Sequence, residues 1–443
     1  MTQGTADGRS VRDRSPRLRN EAGGAGLPRW VLPALLAAIT VLFVVTLRPG
    51  HSWHDDFALY VLHARNLAQG IPYDATGYLY NPGDPLHSPS VYPPGFPLVL
   101  APLYALFGAN LFVLKLVAIA SFIAAVGVFA LLIRPLLPTR FLAATMVLVG
   151  MQPFFARFKN LLLPDYTFVL LAFASLYLLR RLYERHDTSF RTILMGGAAG
   201  VCMAAAVSVR VVGVALFAAL ALYQVLQLRL PRAPVVVAGI TALCLVGLQL
   251  MLMPPESGYA VQISDVANLG NRPPPLYAIV LKRITDLFAS TGVLWAPRDD
   301  LALGTLGSLE QAFMKAMIVV TGLLAGSGLI IRLRRVSLLE TFVLSYAAVL
   351  LYWGFISSRY MIPLLPFVLF YAVVAVRFLM ERGGAAVRYG VVVLVLIVAG
   401  SYAVNLVQVQ RSDHTVDVLD APSAELFAYL RCCSEDVRFA ADR

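Results

Sequence analysis

Two adjacent carboxylates, Asp55 and Asp56, follow Trp53-His54 just beyond the first strongly apolar stretch of the chain. A third acid, Asp165, comes directly after Pro164 and opens a later apolar stretch. Cations stand at similar boundaries: Lys115 just inside one apolar run, Arg210 between two others, and Arg359-Tyr360 at the head of another. Carboxylates of this kind act as general bases that take a proton from an attacking hydroxyl. Guanidinium and ammonium groups stabilise phosphate charge through charge-assisted hydrogen bonds. The acids could converge on one site, and the three cations suit the phosphates of a lipid headgroup.

Each residue also has a plainer reading. Ser52-Trp53-His54-Asp55 has the form of a capping box, and acids at a helix N-terminus gain roughly 0.3–1 kcal/mol from the helix dipole. Pro164-Asp165 is likewise a good helix start, and Lys115 and Arg210 are placed to snorkel to the bilayer interface. His51, His54, His63 and His87 all fall near the acidic pair. His51 and His54 with Asp55 would suit a divalent cation, yet no firm metal-site spacing accompanies them. The site is therefore expected to work without a cofactor, a divalent metal being the weaker alternative. Cys202, Cys244, Cys432 and Cys433 imply no disulfide framework.

The elements that must hold these residues are membrane-spanning. Hydrophobic residues make up 59% of the 443-residue chain and charged residues 14%, far from soluble averages of about 45–50% and about 25%. The net charge of +11 does not signal nucleic acid, because Arg and Lys lie in short clusters between apolar runs without interleaved aromatics. Residues 1–28 form a polar, basic tail expected to be disordered and cytoplasmic. Apolar runs of spanning length recur near 30–47, 110–133, 140–157, 162–181, 191–208, 211–229, 233–253, 312–331, 338–356, 360–379 and 388–409. The expected architecture is thus all-α and polytopic, with about eleven transmembrane helices. Segment 95–108, punctuated by Pro97 and Pro102, is shorter and reads as re-entrant or interfacial.

Arg134 and Arg140, then Arg180, Arg181, Arg185 and Arg191, then Arg229 and Arg232, mark alternate short connections, as do Arg332, Arg334 and Arg335, and Arg377, Arg382 and Arg388. The positive-inside rule puts these with the N-terminus in the cytoplasm. The long loops 49–109 and 254–311, with the tail 410–443, fall outside. In the first loop Phe57, Tyr60, Val61, Ala64, Leu67 and Ala68 keep a helical period with Asp56, His63 and Asn66 opposite, so an amphipathic helix resting on the membrane is expected. Residues 276–288, bearing Lys282 and Arg283, read as a second interfacial helix.

The order of these features resembles the C-type (GT-C) glycosyltransferases that use polyprenyl-phosphate sugars, in particular the protein-mannosyltransferase-like and aminoarabinose-transferase-like enzymes. The resemblance rests on Asp55-Asp56, Tyr60, Ala64, Gly70, Tyr92-Pro93-Pro94, the acid Asp165 and Arg359-Tyr360 with Pro363 and Pro366. It implies a membrane enzyme that moves a sugar from a polyprenyl-phosphate donor to a hydroxyl of a lipid, glycan or protein on the outer face, with inversion. It makes Asp55 the general base, with Asp56 and Asp165 positioning acceptor or sugar. Arg210, Arg359 and Lys115 would neutralise the departing phosphate, with Tyr360 and Tyr92 at the substrate. His87 stands where some relatives carry a loop-one cation. Loops 72–91 and 254–311 would set specificity. A transporter or flippase of a lipid-linked or anionic substrate is the alternative, since charges in spans also mark substrate paths. Transporter sites usually lie near the midplane between broken helices, whereas these polar residues gather at one face.

Overall fold

The computed structural model describes residues 28, 30–48, 56–77, 89–185, 187–228, 231–253, 276–295, 308–352 and 358–412. Among them there is no β-strand, and fifteen helices run in this order: α1 Val31–Val45, α2 Phe57–Gln69, α3 Gly95–Phe107, α4 Leu111–Ile133, α5 Thr139–Gly150, α6 Pro153–Phe158, α7 Asp165–Glu184, α8 Phe190–Val209, α9 Ala215–Gln227, α10 Ala233–Leu252, α11 Leu276–Ser290, α12 Ser308–Leu333, α13 Leu338–Tyr352, α14 Leu365–Arg382 and α15 Ala385–Ser412. The protein is an all-α polytopic membrane protein. Asp55, His87, the ends of the chain and residues 254–275 lie outside the described residues.

Six of the described helices are long and apolar enough to cross a membrane: α4, α7, α8, α10, α12 and α15. A 20-residue helix such as α7 spans roughly 30 Å, the thickness of the hydrocarbon core. Every expected span coincides with helix, but several helices are shorter than the apolar run suggested. The stretch expected as one span at 140–157 is two helices. Gln152 is extended, with ψ of 125°, and its side chain accepts a hydrogen bond from the Phe154 amide and donates to the Leu294 carbonyl at 3.0 Å. Pro153 has no amide to continue α5 and disfavours helical backbone before it. The segment at 95–108 is the 13-residue α3 with Pro102 inside it.

The packing order brings the chemically interesting ends together. α4 packs along α7, α7 along α8, α8 along α10, α9 along α13 and α12 along α14. α7 begins with Asp165, α8 ends against Arg210, and the 3-10 turn Ser358–Met361 carries Arg359 immediately before α14. These three points share one end of the bundle. α3 is tied there as well: a Cβ on Gly95 would meet the backbone of Ser208 at 2.5 Å, so only glycine permits this approach.

Loop one folds against that end through α2 and α3, which pack on one another. The helix is the amphipathic one expected, but His63 and Asn66 on its polar side are covered by protein. His63 and Asn66 are as fully buried as Phe57 and Val61. Gly70 closes the helix in the left-handed conformation, φ 68°, and turns the chain back over the polar side. Asn66 Nδ2 then donates to the carbonyls of Pro72 and Tyr73 at 3.0 and 3.2 Å. His63 Nδ1 lies 2.8 Å from the Tyr73 carbonyl, with its ring stacked on Tyr73 at 4.0 Å. Buried polar groups need partners, and the turn after the helix supplies them for Asn66 and for Nδ1 of His63.

Candidate active site

Asp56 is the residue before α2, the place where an acid would cap, yet its side chain makes no capping bond. Its carboxylate faces inward instead. Oδ1 accepts a hydrogen bond from the Tyr92 phenol at 3.0 Å and Oδ2 one from Arg359 Nη1 at 2.9 Å. Tyr92 is itself fixed from two sides. Its ring meets Tyr60 edge-on at 5.5 Å, and its carbonyl accepts from the Tyr73 hydroxyl at 2.9 Å. The clasp of His63, Asn66 and Tyr73 therefore ends, through Tyr92, on Asp56.

Arg359 bridges two acids. While Nη1 holds Asp56, its Nε donates to Asp165 Oδ2 at 2.8 Å. The other oxygen of Asp165 accepts from Arg210 Nη1. Arg210 in turn lies over the ring of Tyr360, 4.8 Å from guanidinium carbon to centroid, a cation–π contact. The Tyr360 carbonyl accepts from the buried Tyr346 hydroxyl at 3.2 Å. The result is an alternating chain, Asp56, Arg359, Asp165, Arg210, assembled from four separate segments.

Exposure divides the chain in two. The Asp165 side chain is 2% exposed and is shared by both guanidiniums; that of Asp56 is 34% exposed. A buried carboxylate is stable only with its partners in place, and removing one partner of a buried pair costs about 3–5 kcal/mol. Asp165 is thus a fixed counter-ion that orients both arginines, and Asp56 is the accessible acid. The paired guanidiniums offer planar donors of the kind that grip phosphate.

Of the sequence candidates, Asp56, Asp165, Arg210, Arg359, Tyr360 and Tyr92 come together. Asp55 and His87 fall outside the described residues. Lys115 departs from expectation. It does not snorkel but is fully buried, and its ammonium donates to the Arg48 carbonyl at 3.1 Å, where the chain leaves α1. The Arg48 amide donates to Asn160 Oδ1 at 3.1 Å, and the neighbouring Lys159 is fully buried too. These contacts fix the root of the loop that carries Asp55 and Asp56. Asn160, Lys159 and Tyr73 were not anticipated. Lys159-Asn160 was visible as a polar pair inside the apolar stretch 153–164, and Tyr73 only as part of a Gly-Ile-Pro-Tyr turn. Among the described residues no group of three or more His, Cys, Asp or Glu could hold a metal ion.

No family model and no curated protein matches the chain. Solved structures do. The archaeal oligosaccharyltransferase AglB from Archaeoglobus fulgidus, in complex with an inhibitory peptide and a dolichol-phosphate, superimposes over 92% of this chain with a TM-score of 0.59 at 14% identity. ArnT from Cupriavidus metallidurans, bound to undecaprenyl phosphate, superimposes over 94% with a TM-score of 0.52 at 17% identity. The fold is that of the C-type glycosyltransferases. The chain spans 60% of the length of AglB and 70% of that of ArnT, so its likeness to both is that of the GT-C fold alone. Within that fold the alternating chain of acids and arginines sits where helix ends from four segments meet.

Proposed function

We propose that this chain is an integral membrane glycosyltransferase that moves a sugar from a polyprenyl-phosphate donor to an acceptor hydroxyl with inversion. The observation that carries the reading is Arg359, a cation shared by acids from two distant segments at one end of a GT-C bundle. The superimposed AglB and ArnT structures hold a dolichol-phosphate and an undecaprenyl phosphate, which supports a lipid-phosphate donor here. The acceptor belongs to the class of lipid, glycan or protein hydroxyls. The basic connections at the opposite end of the bundle support an outer-face site, with N-terminus inside, C-terminal tail outside and a multi-pass location in the cell membrane. The chain then divides into a cytoplasmic tail 1–28, the transmembrane unit 29–409 and an outer tail 410–443.

The chemistry follows from the residue types. The acceptor oxygen attacks the anomeric carbon from the side opposite the phosphate while Asp55 takes its proton. The bond from the anomeric carbon to phosphate oxygen breaks, and its electron pair leaves with the phosphate. No general acid is needed, because phosphate is already a competent leaving group; glycoside hydrolysis differs in this respect. Arg359 and Arg210, oriented by Asp165, stabilise the charge that develops on the phosphate. Tyr360 keeps Arg210 in plane and Tyr92 keeps Asp56 aimed. His87 is assigned to the same outer loop, and Lys115 braces its root. No metal or other cofactor enters this scheme.

The test is transfer from a panel of radiolabelled polyprenyl-phosphate sugars in membranes containing the protein. Asp55→Asn should lower the rate by about 10²–10⁴-fold, the usual contribution of a general base, with expression and insertion unchanged. Turnover at the wild-type rate would refute the assignment.

A further inference from the structure

The two carboxylates on Arg359 are not equivalent. Asp165 is buried and also holds Arg210, so losing Arg359 would strand charge in a dry site. Asp56 is the more exposed partner, and the Tyr92 phenol gives it a second, neutral donor. Being part-exposed, it can leave Arg359 for water at less cost than Asp165 can. A phosphate approaching Arg359 therefore meets a guanidinium whose accessible side is already taken by a carboxylate, and two anions at hydrogen-bond range repel.

We propose that Asp56 and the phosphate of the lipid donor are alternative partners of Arg359 Nη1, so that donor binding releases Asp56, still tethered to Tyr92, to the acceptor side. The proposal rests on reading Arg359 as the donor-phosphate site. It makes donor binding precede productive acceptor binding. It also bears on product release. When the bond from sugar to phosphate oxygen breaks, a diester with one negative charge becomes a monoester carrying close to two at neutral pH. Such a product would be gripped tightly by the arginines, and the return of Asp56 to Arg359 competes against it.

Binding of a short-chain prenyl phosphate to the full-length protein in detergent, measured by calorimetry, tests this. Asp56→Asn, and Asp56→Ser as a second neutral variant, should bind the prenyl phosphate about tenfold more tightly, equivalent to about 1.4 kcal/mol. Asp56→Glu, which keeps the charge, should stay within about twofold of wild type. In an Arg359→Gln background the neutral variants should give no gain, the signature of a direct coupling. If Arg359→Gln weakens binding but the neutral Asp56 variants bind no better than wild type, the competition is overturned and the phosphate site stands. If Arg359→Gln binds as wild type does, the phosphate site and the competition both fall.

Discussion

At the N-terminal end of α7, Asp165 is held by guanidiniums 45 and 194 residues away in the chain; at the C-terminal end, Arg180 pairs with Glu184 one turn on. The contrast extends along both rims of the bundle. On the rim with Arg180 the ion pairs are local. Arg377 pairs with Glu381 within α14, and Arg180 Nη1 donates to the Leu132 carbonyl at the end of α4. The turn into α13 is a capping box in which Glu340 Oε2 accepts from the Ser337 amide at 2.8 Å, with Arg332 on its other oxygen at 3.0 Å. Each of those ion pairs lies within a helix or across a short turn. None of the ion pairs in the Asp56–Arg359–Asp165–Arg210 chain is local in this way. Asp56 stands at a helix start without capping it, and Arg359 joins a residue 303 positions away. Charges gathered from distant segments into one partly buried cluster are expected where they serve binding or chemistry.

The largest expected effect separates the rims. Asp165→Ala and Glu340→Ala both strand partly buried arginine charge, and each should destabilise the protein by about 3 kcal/mol in denaturant unfolding. Only Asp165→Ala should also weaken prenyl phosphate binding. Equal loss of binding in Glu340→Ala would erase the distinction between the two rims.

A smaller effect concerns the clasp of loop one. Burial pushes the His63 imidazole down to about 4, outweighing its hydrogen bond to the Tyr73 carbonyl. The unfolded chain therefore binds a proton near pH 6.5 that the folded chain refuses until about pH 4. Folding stability is fully present above about pH 6.5 and falls as the pH drops toward about 4, by roughly 1.4 kcal/mol per unit. His63→Gln should flatten that slope in unfolding curves taken across the window; an unchanged slope would remove His63 from the acid response. The smallest effect is on the local rim. Glu381→Ala breaks an exposed pair within one helix and should change stability by less than about 0.5 kcal/mol.

Much of this architecture was legible in the sequence because hydropathy and charge are local signals. Apolar runs marked the helices, and alternating arginine clusters marked which ends lie together, so Asp165, Arg210 and Arg359 were expected on one face. Their pairing order was not legible, because it depends on how helix ends from distant segments meet. The covered polar side of α2 was missed for the same reason. A helical period reports two faces but not that Asn66 and His63 find their partners in the turn at Pro72–Tyr73. Lys115 read as an interfacial cation, since nothing near it in sequence announces the Arg48 carbonyl. The break at Gln152 was within reach: Pro153 stands inside the run at 140–157.

The role of Arg359 as the phosphate site is open to direct observation in an experimental structure of the full chain with a polyprenyl phosphate in lipid nanodiscs. Phosphate oxygens are expected within about 3 Å of the Arg359 guanidinium, with Asp165 still joined to both arginines and Asp56 displaced toward Tyr92. A phosphate seated elsewhere, with Arg359 still bridging Asp56 and Asp165, would contradict that role.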